Sequence, residues 1–81
     1  ELILLNIYPN PFTNEATLSF SNPKQEEATI QLFDSRGRLV REYNNIKKEI
    51  LSIKKEELSN GLYYVNLMID YMNYKGKIII Y

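Results

Sequence analysis

Leu58-Ser59-Asn60-Gly61-Leu62-Tyr63-Tyr64-Val65-Asn66-Leu67-Met68-Ile69 is the stretch that decides the fold. Asn60-Gly61 is the pair that most readily takes positive φ, so it marks a turn. The residues after it are apolar or β-favouring at nearly every position. Alternation puts Tyr63, Val65, Leu67 and Ile69 on one face, and Leu62, Tyr64, Asn66 and Met68 on the other. A strand with apolar residues on both sides belongs in the interior of a sheet. Leu58 and Gly61 precede Tyr63 at the spacing of a tyrosine corner, where the hydroxyl of a Tyr at a strand start bonds a backbone group a few residues upstream. The segment therefore predicts the middle strand of a β-sandwich.

Downstream, Asp70-Tyr71-Met72-Asn73 reads as a turn, and Tyr74–Tyr81 as a closing strand with Ile78 and Ile80 on one face. The run Ile78-Ile79-Ile80 is an aggregation hazard if exposed, and Lys75 and Lys77 read as its gatekeepers. The same strand also suits addition of a partner's strand to its edge. Upstream, Lys54–Leu58 is a solvated charge run or a single helical turn. Lys47–Lys54 is a strand with Leu51 and Ile53 inward. Ala28–Asp34, with Ala28, Ile30 and Leu32 inward, pairs with Leu39–Asn44 through the loop Asp34–Arg38. Gly37 there supplies the left-handed residue of a type I turn plus bulge. Asn44-Asn45 bends the chain.

Glu15–Ser21 alternates with Ala16, Leu18 and Phe20 inward, and Asn22–Glu27 is a polar turn. The first strand is Leu2–Tyr8, with Ile3, Leu5 and Ile7 on one face. It ends at Tyr8-Pro9-Asn10-Pro11-Phe12. The prolines fix φ and push their predecessors to extended backbone, predicting a polyproline-II-like corner where strand pairing stops. Tyr8 and Phe12 are expected to plug the end of the core, with a docking epitope as the sharper reading. About seven short strands separated by regular turn signals give an all-β, seven-stranded antiparallel immunoglobulin-like sandwich.

The 81 residues make one domain, 1–81. Ten basic and ten acidic residues cancel, which argues against nucleic acid as a partner. No apolar run approaches the ~20 residues of a membrane-spanning helix, so membrane insertion is not expected. The sequence starts at Glu1 rather than Met and has no leader-like segment, so a piece of a longer protein is expected. His, Cys and Trp are absent. The commonest general base, the thiol nucleophile and the usual zinc ligands are thus missing together, and neither a cofactor nor a metal is expected.

Adjacent carboxylates such as Glu26-Glu27 and Glu56-Glu57 point to opposite faces of a strand and make poor acid–base dyads. Asn10 and Asn14 do not make a calcium loop. Gly37 and Gly61 are turn glycines rather than a phosphate cradle, and Ser35 has no histidine to activate it. Arg36, Arg38 and Arg41 share one hairpin and read as solvated, for want of an aromatic stacking platform. The seven tyrosines suit a small core with hydroxyls in water, or alternatively a sugar-stacking surface.

Four stretches in order carry a resemblance: Tyr8-Pro9-Asn10-Pro11-Phe12, Asp34-Ser35-Arg36-Gly37-Arg38-Leu39-Val40, Leu58-Ser59-Asn60-Gly61-Leu62-Tyr63, and the Lys-rich apolar end. Together, from Ile7 to Tyr81, they resemble the type A C-terminal sorting domain of the type IX secretion system. The resemblance implies a non-catalytic, immunoglobulin-like domain at the C-terminal end of a larger secreted protein. It implies passage of an upstream passenger through the periplasm and the outer-membrane translocon of a Gram-negative bacterium to the surface or medium. The implied partners are the translocon, a shuttle protein and a sortase that cleaves the domain. By position, the recognition residues are Pro9, Asn10, Pro11, Gly37, Gly61, Tyr63, Lys75 and Lys77. Many members end in Lys or Arg where this sequence ends in Tyr81, so a basic end either follows or is dispensable. The alternative is an immunoglobulin-like or fibronectin-III-like accessory module that binds carbohydrate or protein beside a secreted enzyme. An enzyme is the third class.

Overall fold

The computed structural model describes residues 5–81. They form β1 (Leu5–Tyr8), β2 (Glu15–Phe20), β3 (Ala28–Phe33), β4 (Leu39–Ile46), β5 (Ile50–Lys54), β6 (Gly61–Ile69) and β7 (Met72–Ile80). One sheet has the order β1-β2-β5 and the other β4-β3-β6-β7, with every pair antiparallel. The fold is the β-sandwich expected, and β6 is an interior strand of the larger sheet. Its Tyr63, Val65, Leu67 and Ile69 are buried, while Tyr64 on the reverse face is exposed. The part of the first strand that would hold Ile3 lies outside the described residues.

Period-two alternation builds the core. Ala16, Leu18 and Phe20 of β2 and Ile53 of β5 face Ala28, Ile30 and Leu32 of β3, the inner face of β6, and Ile78 and Ile80 of β7. Fully burying a branched aliphatic side chain stabilises by roughly 1.5–3 kcal/mol, so this contiguous cluster dominates a chain with no disulfide. Leu5 and Ile7 close one side, their methyls 3.4 and 3.6 Å from where a Cβ would stand on Gly76. Gly76 is thus where the two sheets approach across an edge.

Several local expectations change. The bonds Tyr8–Pro9 and Asn10–Pro11 are both cis, in place of a polyproline II corner. Phe12 is buried as expected, but Tyr8 is exposed and plugs nothing. Pairing does not stop at the corner, because Phe12 bridges Ile80 in parallel. The β6–β7 turn is the two residues Asp70-Tyr71, both at positive φ, the conformation that matches the twist of a hairpin. Asn22, read as a polar turn residue, is buried. Its Nδ2 donates to Glu26 O (2.8 Å) and Lys47 O (3.0 Å), and its Oδ1 accepts from Glu26 N (3.1 Å), tying the β2–β3 and β4–β5 loops together.

Candidate functional site

The topology gathers the singled-out motifs at one end of the sandwich. The β1–β2 corner, the β3–β4 hairpin and the β5–β6 loop all lie there, beside the end of β7. Gly61 stands opposite Ile80, and Tyr63 opposite Ile78. An open cleft of about 500 Å³ runs between the hairpin, at Asp34 to Arg38, and the loop Glu57 to Gly61.

The corner and the last strand, nearly the length of the chain apart, are joined directly. Asn10 Nδ2 donates to Lys77 O at 2.9 Å, and Ile79 N donates to Asn10 Oδ1 at 3.0 Å. Phe12 N then donates to Ile79 O at 3.0 Å, and Tyr81 N to Phe12 O at 2.9 Å. Pro9 and Pro11 flank the amide that makes the first two contacts. Pro9, Asn10, Pro11 and Lys77 are therefore neighbours. Lys75, two residues earlier on β7, stands opposite Asn66 on the outer face of the larger sheet and does not join them.

Tyr63 makes the expected corner: its hydroxyl donates to Ser59 O at 2.6 Å. That bond pins the β5–β6 loop over the buried Leu58. Gly37, at φ +86°, completes a loop in which Gly37 N donates to Asp34 O and Asp34 N to Arg38 O, at 2.9 Å each. Gly61 sits at φ +147°, in open space, so its requirement is conformational rather than steric.

Asp34 organises the hairpin through its carboxylate. It accepts from Arg38 N (2.9 Å), Arg36 N (3.0 Å) and Arg38 Nε (2.8 Å). The Arg38 backbone N–H chiefly holds its pKa below the ordinary 3.8; desolvation, next in size, opposes it, and the Arg38 side chain and the Arg36 N–H keep the net direction downward.

Two polar groups at this end were not legible as such. Arg41 is not a solvated hairpin arginine. It stands opposite Leu32, on the inward side of β4, and its side chain is 15% exposed. Its guanidinium donates to Lys54 O and, at 3.3 Å, to Lys55 O, so it links the edge of one sheet to the edge of the other. Glu56 and Glu57 lie 3.7 and 3.5 Å away. Burial works to lower the Arg41 pKa, but the Tyr43 hydroxyl and the two carboxylates outweigh it, and the net direction is upward. The charge run Lys54–Leu58 is likewise engaged rather than merely solvated, since Lys55 Nζ donates to Asn60 Oδ1 and to Tyr81 O. The one available signal for Arg41 was its parity with Tyr43 on the strand, which assigns it to the core side.

The tyrosines do not share one surface. Tyr63 is buried, Tyr43 and Tyr74 are partly buried against the core, and Tyr8, Tyr64, Tyr71 and Tyr81 are exposed at separate places. Among the described residues, no group of three or more His, Cys, Asp or Glu is placed to hold a metal ion, and no helix is long and apolar enough to cross a membrane.

A small immunoglobulin-like sandwich whose turn motifs converge on its closing strand is a module defined by its outline and its edges. The chain belongs to the secretion system C-terminal sorting domain family, which it matches over residues 6–81. Comparison with the curated proteins returns no match. The family is that of a type IX sorting signal rather than a catalytic domain, and membership implies a secreted or cell-surface protein that engages the type IX machinery.

Proposed function

We propose that this domain directs an upstream passenger through the outer-membrane translocon with the help of a shuttle protein, and that a surface sortase then removes it. Residues 1–81 act as a single sorting unit. In this reading Gly37, Gly61 and Tyr63 hold the turns of the motif end, while Pro9, Asn10 and Pro11 present that end together with Lys77. Lys75 and Lys77 are exposed and alternate along β7, so they offer cationic contacts without a structural role in the core.

The observation that carries the reading is the Asn10 bridge to Lys77 and Ile79, which makes one continuous surface of the first and last motifs. The test fuses the domain to a secreted reporter in a bacterium with a type IX system. The double variant Lys75→Glu/Lys77→Glu is expected to trap the reporter inside the envelope while the urea midpoint of the purified domain stays within error. Normal export of that folded variant would remove the two lysines from the signal. Normal export of a passenger lacking the whole domain would overturn the reading.

A further inference from the structure

Among the described residues nothing covers the outer face of the larger sheet, and its side chains form registered rows across β4, β3, β6 and β7. One row is Glu42, Gln31, Asn66 and Lys75. Gln31 Nε2 donates to Glu42 Oε2 at 2.8 Å, and Asn66 Nδ2 donates to Gln31 Oε1 at 3.4 Å. The chain of donors stops there: Asn66 Oδ1 is buried and has no partner among the described residues. The adjacent row is Leu39, Phe33, Tyr64 and Lys77, with Leu39 and Tyr64 exposed. Between the rows lies a depression of about 320 Å³, lined by Phe33, Tyr64, Asn66 and Lys75.

We propose that this face is a two-fold interface between two copies of the chain. The argument is self-complementarity. The polar row is negative at one end and positive at the other, and three strand spacings of about 4.8 Å keep Glu42 and Lys75 from pairing within one molecule. A two-fold axis parallel to the strands, between β3 and β6, reverses each row against itself, as an isologous contact requires. Glu42 of each copy then meets Lys75 of the other. Gln31 of each copy meets Asn66 of the other, one amide against another. In the adjacent row Phe33 meets Tyr64, and Leu39 meets the methylenes of Lys77. Face-to-face packing of sheets nearly aligned is a standard arrangement. An unrelated partner would need to reproduce this reversed row, whereas a second copy already carries it.

A four-stranded face roughly 20 Å across makes a small contact, so association is weak, in the range of transient interfaces below ~1,200 Å². This holds whether or not the domain is a sorting signal.

The test is sedimentation equilibrium of the 81-residue chain from about 10 μM to about 1 mM, concentrations suited to a contact of that size. A monomer–dimer equilibrium is expected. Glu42→Lys and Lys75→Glu, each alone, weaken it about tenfold or more by placing like charges face to face. The double variant, which restores the pairing with signs exchanged, returns toward the parent. Circular dichroism confirms that each variant is folded. A chain that stays monomeric throughout overturns the proposal, as does a dimer indifferent to the single reversals or not recovered in the double.

Discussion

Asn10 stands to Ile79 as a neighbouring strand would. Along the outer edge of β7 the exposed backbone groups run Lys77 O, Ile79 N, Ile79 O and Tyr81 N. They are met in turn by Asn10 Nδ2, Asn10 Oδ1, Phe12 N and Phe12 O. A side-chain amide offers the same donor and acceptor pair as a peptide group. The corner thus caps the edge of the triple-isoleucine strand, a place where an open ladder invites association.

Asn10→Ala is expected to lower stability by about 1 kcal/mol, since these bonds are solvent-accessible and a hydrogen bond contributes about 0.5–1.5 kcal/mol net. Asn10→Asp keeps the acceptor for Ile79 N but turns a second acceptor toward Lys77 O, so it recovers less than half of that loss. Urea midpoints check both, and thioflavin fluorescence on storage should rise in the alanine variant. An alanine variant with parental midpoint and clear storage behaviour refutes the capping role.

Tyr63→Phe removes the hydroxyl that reaches Ser59 O and nothing else. The loss expected is roughly 0.5–1.5 kcal/mol. Faster proteolysis should appear at the β5–β6 loop, which this bond pins, and not in the β2–β3 loop at the opposite end. Uniform protection would mean the loop is held without it.

Arg41→Met should cost about 1–3 kcal/mol, because the carbonyls of Lys54 and Lys55, the second partly buried, lose a charged donor. Glu56→Gln and Glu57→Gln should each cost well under 1 kcal/mol, since those carboxylates are 62% and 80% exposed and surface pairs contribute little. Arg41→Lys should recover only part of the loss, because one ammonium cannot match a fork that reaches two carbonyls. Equal effects at Arg41 and Glu57 would reverse this ranking.

Asp34 gives the domain an acid limb. Its folded pKa lies below the ordinary 3.8, so its stabilisation is fully present above that value and is lost as pH falls through the lowered folded value. The gap in urea midpoint between parent and Asp34→Asn should be constant from about pH 5 to 8 and narrow below about pH 4. A gap unchanged into the acid would show that the carboxylate charge is not what orders the Asp34–Arg38 loop.

Alternation made the strands legible. Ala16, Leu18 and Phe20, or Ile30 and Leu32, report a half-buried sheet through period two alone, and Tyr63 announced its own corner. The turn glycines were legible for the same local reason. What escaped depends on contacts distant in sequence. Nothing near Asn10 says that its amide will meet Ile79, and nothing near Arg41 says that two carbonyls of another sheet await it. Asn22 looked like a loop residue because its acceptor partners, Glu26 O and Lys47 O, are backbone groups of two separate loops. The corner's aromatics were assigned one role though only Phe12 is buried, because two flanking rings look alike until the β7 edge is in place.

The amide of Asn10 finds its partners 67 and 69 residues further on. A chain emerging from the ribosome therefore leaves this corner unsecured until β7 has been made. A chain that stops between Phe12 and Lys77 leaves the corner with nothing to clasp, and proteases should cut it near Phe12 while sparing chains that carry β7. The clasp thus closes only once β7 is present, and a product cut short before that strand never acquires the joined corner.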